Sequence, residues 1–391
     1  MKRILIVEDD PFTAEVYRNG LEWAGFDTSL AAHLAEARSR LHQDAPDAVV
    51  LDLMLGEENG ISLLRTIRAT EATRKTPVIM LSNAFMPDRV REAWEAGATE
   101  CLDKAHAAPP RLAVRLHAAI DAVRRSRPGT ATASPTPTPA DRATADETSA
   151  RDAHLHRTLL TTLATRVEAA SLGLNAWVAR NHRVSTPEFE SLLRSVHQVT
   201  TVAGMAGLST ICQLGGVLEA LLAEIEVAPS KLTWSAVRTI NQAVDLLPRL
   251  LGASPAARPG PGWTPLVLTV DDEPVAREFL TTALESAQLN TLNVGDPGLA
   301  LRMCEENHFD LAFLDVDMPS MNGFELCERL HRTRSNPDTP VVFVSSMRDE
   351  HTRRSFTGSG ALDFINKPVM LSEVSVKALV HLHRSQLARS A

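Results

Sequence analysis

The chain repeats itself. Some ninety-five residues near the start of the chain recur near its end at a constant offset of 263: Asp9 meets Asp272, Pro11 meets Pro274, Asp47 meets Asp310, Asp52 meets Asp315 and Gly60 meets Gly323. Pro77, Ser82, Gly97 and Lys104 meet Pro340, Ser345, Gly360 and Lys367 with no insertion or deletion between them. Only six residues of the whole chain are lysine, so two lysines in register are hard to obtain by chance. A duplicated domain follows, and each copy must bury a core of its own.

Two breaks in composition isolate the copies. Residues 126–150 hold no Leu, Ile, Val, Met, Phe or Trp and are rich in Pro, Thr and Ala, which predicts a disordered, extended tether. Residues 252–265 form a shorter Pro/Gly linker. The expected domains are therefore 1–125, 151–251 and 266–391.

Within each copy, short continuous apolar runs alternate with amphipathic stretches. Ile4–Val7, Ala48–Leu51 and Pro77–Leu81, with Leu266–Val270, Leu311–Leu314 and Pro340–Val344, suit strands buried on both faces of a parallel sheet. Phe12–Ala24 and Val90–Ala96 read as helices closed by glycine. This βαβα alternation predicts a doubly wound α/β fold, whose ligands bind beyond the carboxyl ends of the strands. The middle block has helical periodicity over 154–182, 187–203, 207–226 and 231–251, with Thr186 and Ser230 suited to N-caps. An all-α helix bundle is expected there.

The predicted strand ends bring chemistry to one rim. Glu8-Asp9, Asp52, Ser82 and Lys104 gather in the first copy, and Asp271-Asp272, Asp315, Ser345 and Lys367 in the second. Three carboxylates in one crevice repel one another unless a cation joins them, and Mg²⁺ prefers such hard oxygens. A carboxylate beside the metal can then attack a phosphoryl group whose oxygens the lysine neutralises.

Both copies resemble response-regulator receiver domains, through ILIVEDDP, VVLDLMLGEENG, PVIMLSNA and LDKA, then LVLTVDDEP, AFLDVDMPSMNG, PVVFVSSM and INKPV. The resemblance implies a flavodoxin-like five-stranded parallel sheet and phospho-acceptors at Asp52 and Asp315. It implies Mg²⁺ ligation by the acidic pairs and the backbone carbonyls of Met54 and Asp317, and phosphoryl-stabilising or switch roles for Ser82, Lys104, Cys101, Ser345, Lys367 and Phe364. The first copy departs from the pattern at Gly56, Cys101 and Ala105, where the second has Pro319, Phe364 and Pro368.

In the middle block, SLLRSVHQVTTVAGMAGLSTICQLGGVLEALL is similar to the active helix of histidine phosphotransfer (Hpt) domains, with His197 at the acceptor position. Thr200-Thr201 stand where that family usually has Lys-Gly, and the branched Thr201 should slow docking. At 100° per residue, His197 lies on the flank of the stripe made by Phe189, Leu192, Leu193, Val196, Val199 and Ala203, within reach of a partner. The pairs His154/His156 and His381/His383 are spaced i, i+2, which argues against chelation. Other charges read as solvated helix faces.

The net charge of −8 and the acidic copies exclude a nucleic-acid surface, and no apolar run is long enough to span a membrane. The four scattered cysteines encode neither disulfides nor a zinc site. A cytoplasmic protein is expected. No phosphate-binding glycine loop marks a kinase, so the chain is expected to be a phospho-acceptor rather than an enzyme. The expected function is a two-component phosphorelay, fed by a sensor histidine kinase or another phosphotransfer protein and passing phosphate to a downstream receiver or effector; a homodimer stays open. The alternatives are a receiver-controlled scaffold with a non-phosphorylated helical block, and more remotely a Mg-dependent phosphohydrolase suggested by Asp315-Val316-Asp317.

Overall fold

The computed structural model describes residues 1–55, 58–82, 87–104, 107–125, 145–253, 263–345 and 362–389. Gly56, Ala105 and most of the two expected linkers lie outside them. The chain forms two compact units, Met1–Arg166 with His197–Cys212 and Val167–Val196 with Gln213–Ala391.

The first copy runs β1 (Lys2–Val7), α1 (Pro11–Trp23), β2 (Phe26–Ala31), α2 (Leu34–Asp44), β3 (Ala48–Asp52), β4 (Met54–Leu55), β5 (Glu58–Asn59), α3 (Gly60–Ala69), β6 (Val78–Ser82), α4 (Pro87–Glu95), β7 (Glu100–Asp103) and α5 (Pro109–Arg125). Its five-stranded parallel sheet has the order β2-β1-β3-β6-β7. Every residue of β3 and β6 is buried, which is why these segments are continuously apolar, rather than alternating, up to their polar last residues, Asp52 and Ser82. Chain order reverses between β1 and β3, so the crevice above Val7 and Asp52 is the place for a ligand in this topology.

The middle block is helical: α6 (Ala145–Ala179), α7 (Pro187–Met205), α8 (Ser209–Val227) and α9 (Trp234–Gly252). Thr186 caps α7 through Phe189 N, with Pro187 opening the helix. Two expectations shift here. The helix α6 starts at Ala145, inside the segment read as tether, because Ala, Asp and Glu tolerate a helix even where nothing apolar demands one. Ser230 does not cap α9; residues Pro229–Lys231 make a 3₁₀ turn and the Thr233 hydroxyl takes the Ala236 amide.

The second copy runs β8 (Leu266–Val270), α10 (Pro274–Ser286), β9 (Asn290–Val294), α11 (Pro297–Glu306), β10 (Leu311–Asp315), α12 (Gly323–His331), β11 (Val341–Ser345), β12 (Asp363–Asn366) and α13 (Leu371–Arg389). Its parallel sheet, β9-β8-β10-β11-β12, repeats the first.

Here α9 lies on β12 and α13. The Trp234 ring stacks on Phe364 at 5.1 Å, Asn366 N donates to the Ser235 hydroxyl, and the Thr239 hydroxyl donates to Glu373. Cover by α9 and α10, with Trp263 against His383, accounts for the burial of His381, His383, Glu373 and Lys377, against the expectation of solvated or inconsequential groups. The Asp363 carboxylate is shared by Lys377 Nζ at 3.0 Å, His381 Nε2 at 3.1 Å and Arg238 Nε at 3.1 Å. Burial would push that carboxyl up, but His381 and Lys377 outweigh it and hold it far below the usual range. His383, whose ring nitrogens have no hydrogen-bond partner among the described residues, is pushed down to about 4 by burial.

Candidate functional site

The acids, hydroxyls and ammonium groups singled out in the sequence meet at the carboxyl rim of each sheet. Glu8 and Asp9 follow β1, Asp52 ends β3, Ser82 ends β6 and Lys104 follows β7. A steric demand shapes the loop after β3 and after β10: a Cβ on Gly60 would lie 2.1 Å from the Asp52 carbonyl oxygen, and one on Gly323 would lie 2.2 Å from that of Asp315. Only glycine lets α3 and α12 start so close to β3 and β10. Between β3 and α3 the strands β4 and β5 pair antiparallel, and Met54 N donates to Asp52 Oδ1 at 3.3 Å.

Asp52 is fully buried, and Lys104 Nζ, itself 2% exposed, donates to its Oδ2 at 2.8 Å. The rim is closed by α7. His197 Nε2 lies 3.2 Å from Asp52 Oδ2 and 2.8 Å from Lys104 Nζ, while Lys104 also donates to the Thr201 hydroxyl at 3.1 Å. Thr201 is thus accommodated as a hydrogen-bond acceptor, where its branching had suggested obstruction. Thr200 is buried.

Charge is unevenly balanced at this rim. Burial pushes Asp52 up, but Lys104 and His197 outweigh it and hold it below the usual carboxylate range. At Glu8 the balance falls the other way: burial, then the Asp52 charge, outweigh Lys104 and His197 and push it up to about 8. Asp9 is raised for the same two reasons. Glu8 Oε2 and Asp9 Oδ1 are buried oxygens without a hydrogen-bond partner among the described residues. Orphaned, proton-hungry carboxylate oxygens are what a hard cation would satisfy, so the donor set fits Mg²⁺.

The second rim is more open. Lys367 Nζ lies 2.9 Å from Asp315 Oδ1 and 3.5 Å from Asp271 Oδ2, and is 30% exposed. Burial would lower Lys367, yet its hydrogen bond to Asp315 raises it; Asp271 is raised by burial despite the Glu273 amide on its Oδ1. Carboxylate oxygens of Asp271, Asp272 and Asp315 fall within 4.8 Å of one another, whereas in the first copy the equivalent set is Glu8, Asp52 and His197. Ser345 ends β11, Asp317 lies in the exposed turn after Asp315, and Phe364 sits buried on β12 where the first copy has half-buried Cys101, its thiol pushed up to about 11 by burial and Glu100.

Three side chains were not foreseen. Asp10 Oδ1 accepts from Arg166 Nη2 at 2.8 Å and Gln198 Nε2 at 3.1 Å, while its Oδ2 caps α1 through Thr13. Gln198 adjoins His197, which was the one available hint.

The model of the response regulator receiver domain matches residues 4–117 and 267–378. The chain belongs to the receiver-domain family. Among curated receiver proteins it is 33% identical over 126 residues to the cyclic di-GMP phosphodiesterase response regulator RpfG of Xanthomonas campestris pv. campestris, covering 32% of this chain and 33% of that one. It is 32% identical over 120 residues to the DNA-binding response regulator MtrA of Mycolicibacterium smegmatis, covering 31% of this chain and 51% of that one. The chain thus spans between a third and about half of these relatives. Among solved structures, the Vibrio cholerae chemotaxis protein CheY4 is 26% identical over 30% of this chain and 97% of its own, with a TM-score of 0.28. These receivers and relatives are those of two-component response regulators. No helix among the described residues is long and apolar enough to cross a membrane.

If the acids hold Mg²⁺, Asp9→Ala and Asp272→Ala should each weaken its binding by roughly tenfold, the scale of one charge-assisted contact. Titrating Mg²⁺ against each variant checks this; unchanged affinity in both would remove the metal from these rims.

Proposed function

We propose that this protein is a phosphorelay response regulator in which Asp52 and Asp315 accept phosphoryl groups and His197 exchanges phosphate with Asp52. The observation that carries the reading is the 3.2 Å approach of His197 Nε2 to Asp52 Oδ2, with Lys104 Nζ 2.8 Å from both. Position is most of what phosphoryl transfer asks of a protein. In the transfer, Nε2 attacks phosphorus, the bond from phosphorus to the Asp52 oxygen breaks, and the carboxylate returns to Lys104. The reverse step loads Asp52 from phosphohistidine. A phosphoryl group between them requires the imidazole to stand off further than a hydrogen bond, so α7 must yield slightly. Glu8, Asp9, Asp52 and the Met54 carbonyl would hold Mg²⁺ at the first rim, and Asp271, Asp272, Asp315 and the Asp317 carbonyl at the second. The metal supplies charge neutralisation on the phosphoryl oxygens.

Ser82 and Ser345 would donate to a phosphoryl oxygen, and Lys104 and Lys367 would neutralise it. Outside partners are a sensor histidine kinase or phosphotransfer protein upstream and a receiver or effector downstream, in the cytoplasm.

A second reading is a receiver-controlled scaffold, in which the same contact is an ion-pair lock. Lys104 donating to Thr201, where the Hpt pattern has glycine, favours it. Labelling with acetyl phosphate and Mg²⁺ separates the two. Under the relay, wild type gains an acid-labile, base-stable phosphate at His197 that His197→Gln and Asp52→Asn both lose. Label confined to Asp52 and Asp315 supports the scaffold.

A further inference from the structure

Asp10 is 4% exposed and uses both carboxylate oxygens. Oδ2 accepts from the Thr13 amide at 3.0 Å and its hydroxyl at 2.8 Å, closing the first turn of α1. Oδ1 accepts from Arg166 of α6 at 2.8 Å and Gln198 of α7 at 3.1 Å. One buried carboxylate therefore joins the receiver's β1–α1 loop to two helices of the middle block. One of its two grips is covalently next to His197.

The second copy lacks this device at the matching loop. Glu273 replaces Asp10, is exposed and caps nothing with its side chain. Arg277 stands where the first copy has the small, buried Ala14, and its Nη1 donates to the Asp271 and Asp272 carbonyls at 2.7 and 3.0 Å. That loop carries its own arginine. The first loop is built to receive one.

We propose that Asp10, Arg166 and Gln198 form a clamp that selects the N-terminal receiver as the partner of His197. Arg166 and Gln198 are positioning residues: they touch no reacting atom and fix where the imidazole sits over Asp52. The consequence for phosphate rests on the relay reading, but the clamp itself does not. A charged, largely desolvated hydrogen bond such as Arg166–Asp10 is worth enough to hold one docked arrangement about tenfold over an undocked one.

The test uses the full chain and the accessibility of His197 to diethyl pyrocarbonate, mapped by mass spectrometry with the other histidines as internal references. Arg166→Ala should raise the rate of His197 modification about tenfold, Gln198→Ala less, and Arg166→Lys should restore part of the protection. Asp10→Asn keeps an N-cap on α1 while removing the charge, so it should match Arg166→Ala. Combining Asp10→Asn with Arg166→Ala should add nothing further, since both remove one contact. Unchanged His197 reactivity in Arg166→Ala and Asp10→Asn overturns the clamp. So does a rise shared by all histidines, which means Arg166 only maintains the fold. Phosphate mapping in the same variants separates the two ideas: a freed His197 that never carries phosphate keeps the clamp and removes the relay, and an unaffected His197 that does carry it does the opposite.

Discussion

An Asp315→Asn chain treated with acetyl phosphate and Mg²⁺ should carry no label above background on its C-terminal receiver, and should fold as wild type does. The amide keeps the shape of the carboxylate but has no anionic oxygen to attack phosphorus. Lys367 tolerates the exchange because it is 30% exposed and keeps Asp271 at 3.5 Å. Asp52→Asn should abolish label on the first receiver equally, but at a cost in stability. Its partner Lys104 is 2% exposed, and the other carboxyls that feel its charge, Glu8 and Asp9, are both raised by burial and so replace the lost anion poorly. Leaving a buried ammonium without its anion costs about 3–5 kcal/mol. Phosphosite mapping and urea unfolding on both variants check the pair of statements. Persistent label on the Asp315→Asn receiver would exclude Asp315 as acceptor, and equal stability of the two variants would show that the burial of Lys104 carries no energetic weight.

Asp363→Ala should be the most damaging single change outside the phosphate sites. It strips Lys377, His381 and Arg238 of the carboxylate they share at 3.0–3.1 Å, and Lys377 is fully buried. About 3–5 kcal/mol of the C-terminal unit's stability should be lost in urea unfolding. Lys377→Met should cost less, because His381 and Arg238 remain on Asp363. The combined variant should be less damaged than Asp363→Ala alone, since no buried ammonium is then left over. Asp363 is depressed below its ordinary value of 3.8, so its contribution is present above that pH and fades as acid protonates it. A mild Asp363→Ala phenotype that is independent of Lys377 would mean the cluster is solvated in solution.

Both sheets and their rims were legible because the evidence for them was local and came twice. An apolar run such as Ala48–Leu51 can be only a doubly buried strand or a buried helix, and its acid-ended twin at 311–314 decides between them. Gly60 and Gly323 were visible as a repeat, but their reason, a 2.1–2.2 Å approach to the acceptor's own carbonyl, is a fact of three dimensions. Contacts made across long stretches of chain stayed hidden. Nothing in the spacing of Asp10 and Arg166 brings them together over 156 residues. The burial of α13 could not be read from its charges, because α9 and α10 supply the cover and α9 supplies Arg238. Thr200 misled in a different way. Its replacement of a lysine suggested a missing ammonium, yet Thr200 is 1% exposed and the ammonium against His197 is Lys104. A lysine introduced at 200 would have to enter that packing.

The closeness of His197 to Asp52 also sets the terms on which any other molecule can reach this imidazole. Two groups tethered on one chain meet at an effective concentration on the order of millimolar. A separate receiver present at micromolar levels competes against a resident rival roughly a thousand times more abundant. Under the relay reading, traffic between His197 and the outside is then governed by how often the resident aspartate lets go, and the affinity of the visitor matters only during those openings.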